Sequence, residues 1–253
     1  MFGPMESSLL SAPSRRRAAH GRARTTPDAD RTLLLITAVV AALIVALGSS
    51  AGLAASRAPN ARHVAGFVLI HATLFGGWIV LYAVQVALIS ADRASIHRRL
   101  GIAGVLLAIS MLVMGYATAI RAARTGYAPI PGVDPLAFLT IGLSDLVVFS
   151  VCVGAGLFWR HTPDIHKRCM WLATAILTFP SVTRLPLVRG HTPAILLLFL
   201  AILAIVPVYE RVVTGRAHWV SVWGSAAMFL QLPLRRAIGT TLWWHAFAAW
   251  LIK

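Results

Sequence analysis

Long apolar runs alternate with short basic segments along most of this chain. The runs predict seven helices, at about 32–55, 65–90, 99–121, 135–159, 167–187, 193–210 and 217–234. A helix rises about 1.5 Å per residue, so about 20 apolar residues cross the roughly 30 Å hydrocarbon core of a bilayer. We therefore expect an all-α, polytopic transmembrane helix bundle of about seven spans, with residues 31–253 as one transmembrane domain.

The two ends of the chain show other patterns. Residues 1–30 are rich in Ser, Arg and Ala and have few apolar side chains to bury, which predicts a disordered basic tail in the cytoplasm. Near the C-terminus, Trp243, Phe247 and Trp250 share one face of a predicted helix at 238–252. Such a helix suits either the membrane interface or an eighth crossing.

Composition supports a membrane protein and changes the meaning of the net charge. Hydrophobic residues make up 58% of the chain and charged residues only 12%, which is unusual for a soluble domain. A net charge of +15 would suggest nucleic-acid binding in a soluble protein. Here Lys and Arg lie between apolar runs and are more frequent on the side of the tail. This bias predicts a cytoplasmic N-terminus, contact with anionic phospholipid and no nucleic-acid partner.

Polar residues within the spans are candidate functional groups, because each costs free energy unless it faces the bundle interior or a partner. One face of the second helix carries such a stripe, formed by His71, Phe75, Trp78, Tyr82 and Gln85. We expect this face to point inward. It is either a packed seam between helices or the lining of a pocket.

Asp145 lies near the middle of the fourth predicted helix. A carboxyl group in hydrocarbon must be protonated or paired, and the candidate partners are His71 and Arg184. A link to Arg184 would be structural, and the alternatives are a proton relay, a ligand contact or a hydrogen bond to Ser or Thr. Together with Tyr82 and Gln85, Asp145 and Arg184 form the predicted polar core.

Two similar turns, SIHRRLG at 95–101 and DIHKRCM at 164–170, each begin a helix with histidine and two basic residues. Ser95 and Asp164 are predicted N-caps, which places His97 and His166 in the first helical turns. A helix N-terminus already carries partial positive charge, so extra cations there call for an anion.

That anion is either a phospholipid headgroup or the propionate pair of a haem. The basic residues that would contact it are Arg98, Arg99, Lys167 and Arg168. With a haem, His97 and His166 are axial ligands or propionate contacts, and His71 belongs to a second site nearer the outer face.

The intramembrane His71, HRRLG at 97–101 and HKRCMWLATAILTFPSVTRL at 166–185 together resemble an uncharacterised family of predicted bacterial multi-pass membrane proteins. That family is similar in outline to membrane-bound b-type cytochromes and ferric reductases. The resemblance covers 64–190. It implies a four-helix core there, sites at the three histidines and Arg184, and location in the bacterial cytoplasmic (inner) membrane. It implies no established activity.

Motifs of soluble-enzyme chemistry are missing from the sequence. It contains no phosphate-binding glycine loop, no HExxH, no CxxC and no serine nucleophile elbow. Three functions remain open. The first is binding of haem b with membrane electron transfer, involving a quinone or another redox partner. The second is a non-enzymatic membrane scaffold or lipid-binding protein, and the third is a proton-coupled transporter that uses Asp145.

Overall fold

The computed structural model describes residues 27–56, 62–128 and 133–253, and these residues form helices and their connections with no strand. The helices are α1 (Pro27–Ser56), α2 (Arg62–Ser90), α3 (Ala94–Arg124), α4 (Pro135–Phe158), α5 (Pro163–Val182), α6 (Thr192–Thr214), α7 (Trp219–Gly239) and α8 (Leu242–Leu251). The all-α prediction is confirmed. Of the predicted tail, residues 1–26 lie outside the described residues, and 27–30 already belong to α1.

Five helices, α1, α2, α3, α4 and α6, are long and apolar enough to cross a membrane. The other two predicted spans, α5 and α7, are not among these five. α5 carries charged residues in its first two turns, and α7 carries Arg235 and Arg236 near its end. Composition alone therefore supports five of the seven predicted spans.

α5 lies at the centre of the bundle, where it packs against α1, α2, α4, α6 and α7. Most of its residues from Arg168 to Val182 are buried. Because protein surrounds this helix, its polar side chains can find partners that lipid does not offer. The buried core also includes Ala41 of α1, Phe199 of α6 and Met228 of α7, so it is wider than the predicted four-helix core at 64–190.

α1 approaches α5 closely where Gly48 faces the backbone of Ser181. A Cβ atom at Gly48 would collide with the Ser181 carbonyl group. Backbone atoms cannot rotate away as side chains do, so this contact requires glycine.

The two predicted N-caps are wrong. The N-cap of α3 is Arg93 and that of α5 is Thr162, and neither side chain caps its helix. Pro163 follows Thr162, and proline is favoured at the first helical position because it needs no hydrogen-bond acceptor there. Asp164 instead lies inside the first turn, where its carboxylate is 3.2 Å from Lys167 Nζ.

The C-terminal helix α8 packs against α4 and α7. Its ten residues reach about 15 Å, half of the hydrocarbon core, which is too short for an eighth crossing. Trp244 is buried and its indole N–H donates to the Leu136 carbonyl at 2.8 Å. Trp243 and Trp250 are more than half exposed, as expected for an interfacial helix.

Candidate functional site

His97 and His166 meet at the end of the bundle where α3, α5 and α7 begin, which we call the His97 end. Their ring centres are 6.2 Å apart and the ring planes are perpendicular. His166 Nδ1 lies 2.8 Å from the Gly156 carbonyl oxygen. A carbonyl can only accept, so Nδ1 carries the proton, and in a neutral ring Nε2 keeps its lone pair.

The His97 ring lies near the backbone of Gln85 in α2. Its Nδ1 atom is buried and has no hydrogen-bond partner among the described residues, and the same holds for Gln85 Oε1 and Ser90 Oγ. Buried polar atoms are normally paired, so each of these three atoms on α2 and α3 has unused hydrogen-bonding capacity.

Each of the two histidines therefore has one ring nitrogen close to a backbone group, and the part of the chain that the structure describes offers no hydrogen-bond partner to Nδ1 of His97 or Nε2 of His166. Haem iron and other metals take histidine ligands in this arrangement, because the backbone partner fixes the ring orientation. Within the described ranges, no group of three or more His, Cys, Asp or Glu residues could hold a metal ion.

Of the four predicted lipid or anion contacts, two remain on the surface beside this pair. Arg98 and Arg99 are exposed at the start of α3. Lys167 lies next to Asp164, while Arg168 is buried in an ion pair described below. The basic residues at the two turns thus have different surroundings.

His71 lies far from the histidine pair. It precedes Gln85 by 14 residues on α2, about 21 Å along the helix axis. Its Nδ1 atom is 3.2 Å from Thr118 Oγ1 on α3, and its ring stacks on Phe75 with centres 4.2 Å apart. The structure therefore separates His71 from His97 and His166.

The inward stripe on α2 is confirmed at its two most buried members. Trp78 is 5% exposed and Tyr82 is 7% exposed. The Trp78 indole N–H donates to Thr174 Oγ1 at 3.2 Å, and the Tyr82 hydroxyl lies 2.9 Å from Thr37 Oγ1. These contacts match the packed-seam alternative, since each polar tip is used by a neighbouring helix.

The predicted partners of Asp145 are wrong. Asp145 Oδ1 pairs with Nη1 of Arg235 on α7, and Arg184 lies exposed at the end of α5. The Arg235 guanidinium also lies over the Phe179 ring, 4.9 Å from its centre. Sequence reasoning missed Arg235 because only the tertiary structure sets α7 against α4. The ion pair occupies the carboxylate that a transporter would use as proton carrier.

A second buried ion pair joins α5 to α6 at the His97 end. Arg168 Nη2 is 2.6 Å and Nε 2.7 Å from Glu210 Oε1, and the two residues are 6% and 1% exposed. Ser221 Oγ donates to Glu210 Oε1 at 3.1 Å, and the backbone N–H of His218 donates to Glu210 Oε2 at 2.8 Å. Sequence reasoning missed Glu210, although a single acidic residue in α6 was a usable signal.

His218 is the N-cap of α7, and its Nδ1 accepts a hydrogen bond from the Val220 backbone N–H at 3.2 Å. Burial lowers the pKa of His218, and the charge of Arg168 lowers it further, while Glu210 opposes the shift. A lowered pKa favours the neutral ring, which is the form that can accept at Nδ1.

Comparison with known proteins gave no match to any protein-family model, to any curated protein or to any solved structure. The resemblance to the b-type cytochromes in outline therefore stays a prediction. Any function proposed for this chain must come from its own residues, and the histidine pair is the strongest arrangement that they form.

Proposed function

We propose that this chain is a multi-pass membrane protein in which α5 and α7 cross the bilayer together with the five apolar helices. Each is about 30 Å long at 20 and 21 residues. A short connection at 159–162 folds α5 back along α4. Close packing extends along α7, because a Cβ atom at Gly224 would collide with Leu172 and one at Gly239 would collide with Thr140.

The same proposal places the N-terminus in the cytoplasm and the His97 end at the inner surface of the bacterial cytoplasmic membrane. It is supported by the excess of Lys and Arg on that side. Exposed Arg98 and Arg99 would then contact anionic phospholipid.

Within this frame we propose b-type haem binding by His97 and His166. The observation that carries the proposal is the histidine pair itself, with rings 6.2 Å apart, on two helices that begin at the same end of the bundle. The Gly156 carbonyl would orient His166, and exposed Arg98 and Arg99 are available to propionates. A haem there would supply one-electron chemistry, exchanged with a quinone or another redox partner.

The test is a reduced-minus-oxidised visible spectrum of the detergent-purified protein, expressed with ample haem. We expect sharp Soret and α-bands in the wild-type chain. His97→Ala and His166→Ala should each remove the bands while the protein stays inserted and monodisperse. His161→Ala is the matched control, because His161 is exposed in the nearby 159–162 connection. A featureless wild-type spectrum, or bands that survive both histidine substitutions, would refute this assignment.

A scaffold or lipid-binding function is the second candidate, and exposed Arg98 and Arg99 favour it. It predicts no haem spectrum, and it predicts weaker binding of anionic lipid after Arg98→Gln and Arg99→Gln. The proton-coupled transporter has less support, since Asp145 is already paired with Arg235.

A further inference from the structure

A groove runs along the outside of the bundle between α3 and α4, and we call it the α3–α4 groove. Its volume is about 430 Å³, within the range of pockets that hold small molecules. The residues that line it include Leu112 and Tyr116 of α3 and Leu143, Leu146, Val147 and Ser150 of α4.

The lining of the α3–α4 groove suits an apolar occupant. Of the lining residues, only Ser150 and Tyr116 have polar side chains, and the Ser150 hydroxyl donates to the Leu146 carbonyl at 2.7 Å. Leu112 is half-buried, whereas Val147 is 61% exposed, so the groove opens sideways. Both helices are long and apolar enough to cross a membrane. Hydrocarbon therefore lies against this opening once the bundle is inserted, and an acyl chain can enter it.

Two exposed arginines lie beyond the groove in the last turn of α3. Arg121 and Arg124 are three residues apart, so they are neighbours on the helix surface. Arg124 Nε donates to the Ile252 carbonyl at 2.6 Å, and the Arg121 guanidinium lies over the Phe67 ring, 5.3 Å from its centre. Neither arginine forms an ion pair with a carboxylate in the described part of the chain. Their Nη groups can therefore bind an anion.

The arginines and the groove lie at the depths of a headgroup and its acyl chains. Tyr116 and Leu112 precede Arg124 by 8 and 12 residues, about 12 and 18 Å along α3. The hydrocarbon of one leaflet, half of the bilayer core, is about 15 Å thick. The contact of Arg124 with Ile252, at the end of the interfacial helix α8, is consistent with the headgroup level. A chain in the groove thus belongs to a lipid whose phosphate lies near Arg121 and Arg124.

We propose that the α3–α4 groove and these two arginines bind one anionic phospholipid. One acyl chain lies in the groove, and the phosphate accepts hydrogen bonds from Arg121 and Arg124, since guanidinium groups match phosphate oxygens in geometry and charge. A zwitterionic lipid has the same phosphate, but its cationic group opposes the attraction. The site needs only that α3 and α4 cross the membrane. It lies at the end of α3 opposite His97, so it is independent of haem binding.

The test is native mass spectrometry of the full chain in detergent, titrated with phosphatidylglycerol or with phosphatidylcholine of identical acyl chains. We expect one lipid per chain at low lipid concentration, with phosphatidylglycerol bound about fivefold more tightly. Arg121→Gln combined with Arg124→Gln should abolish this preference. The matched control combines Arg184→Gln with Arg189→Gln, which removes two exposed arginines from the same end of the bundle and should leave the preference intact.

Val147→Trp tests the groove itself, because the larger side chain fills it and should weaken the binding of both lipids. Its control is Val208→Trp on α6, where the valine is similarly exposed, at 57%. The proposal is overturned if the unsubstituted chain binds both lipids equally, if the preference survives the change of Arg121 and Arg124, or if the two tryptophan variants behave alike. A dimer that Val147→Trp dissociates would assign the groove to a second copy of the chain instead. If Val147→Trp does not fold, the exposed arginine variants decide the matter.

Discussion

Glu210→Gln should destabilise the protein strongly, although it keeps the shape of the side chain. The substitution removes the negative charge that balances Arg168, and both residues are almost fully buried. Removal of one partner from a buried ion pair costs about 3–5 kcal/mol, because the remaining charge is left uncompensated. Arg168 also lies 3.6 Å from the Asp164 carboxylate and donates to the Asp164 backbone carbonyl, so we expect the low end, about 3 kcal/mol.

For a chain of this length, about 3 kcal/mol corresponds to a fall of about 6–12 °C in the midpoint of thermal unfolding. The assay is the apparent midpoint of the detergent-purified protein, followed by tryptophan fluorescence. The matched control is Asp92→Asn, which breaks the ion pair between Asp92 and Arg31. That pair has the same length, 2.6 Å, but the Asp92 side chain is 80% exposed. An exposed pair contributes about 0–1 kcal/mol, so this control should shift the midpoint by about 4 °C at most.

The double substitution Arg168→Met, Glu210→Met completes the test. It removes both charges, and replacement of a whole buried ion pair by apolar side chains is often neutral. We expect a midpoint well above that of Glu210→Gln. The reasoning is refuted if Glu210→Gln shifts the midpoint no more than Asp92→Asn, or if the midpoint of the double substitution is no higher than that of Glu210→Gln.

Two further predictions follow from other contacts. Gly48→Ala should lower the unfolding midpoint sharply, because the added methyl group would collide with the Ser181 backbone. Gly76→Ala is the control and should be neutral or stabilising, because no atom lies near the Cβ position of residue 76. Equal midpoints for the two variants would contradict this prediction. The pKa of His218 is lowered in the folded protein, chiefly by burial and then by the charge of Arg168. As the pH falls, His218 is therefore protonated in the unfolded chain before it is protonated in the folded one, which favours unfolding. The stabilisation that depends on neutral His218 should be fully present above about pH 6.5 and should decline as the pH falls below that value. The measurement is the unfolding midpoint as a function of pH. The decline should be smaller in His218→Asn, because that variant lacks the titrating ring.

Much of the helix pattern could be predicted from the sequence. Apolar runs separated by basic segments predict where helices lie, because a long hydrophobic stretch has few other stable conformations in lipid. The boundaries of α4 were predicted within one residue, as 135–159 against Pro135–Phe158. The predicted start of α5, at 167, was four residues late. The charged side chains of its first two turns interrupt the apolar pattern from which the helix was predicted.

The candidate site was predicted only in part. His97 and His166 were found as a repeated motif, because their local sequences match, and the structure brings their rings together. Glu210 and Arg235 were missed. Glu210 pairs with Arg168, 42 positions earlier, and Arg235 pairs with Asp145, 90 positions earlier. No local sequence pattern specifies a partner at such a distance.

The sequence by itself determined the all-helical class, the approximate limits of the helices and the inward face of α2, because hydrophobicity and helical periodicity are local properties. Only the tertiary structure decided that α5 is central, that Asp145 pairs with Arg235 and that Arg168 is buried rather than free for lipid. Those outcomes depend on which helices pack together and how far each is shifted along its neighbour. Close contacts such as Gly48 against Ser181 set these relations, and they are properties of pairs of helices rather than of any single run of sequence.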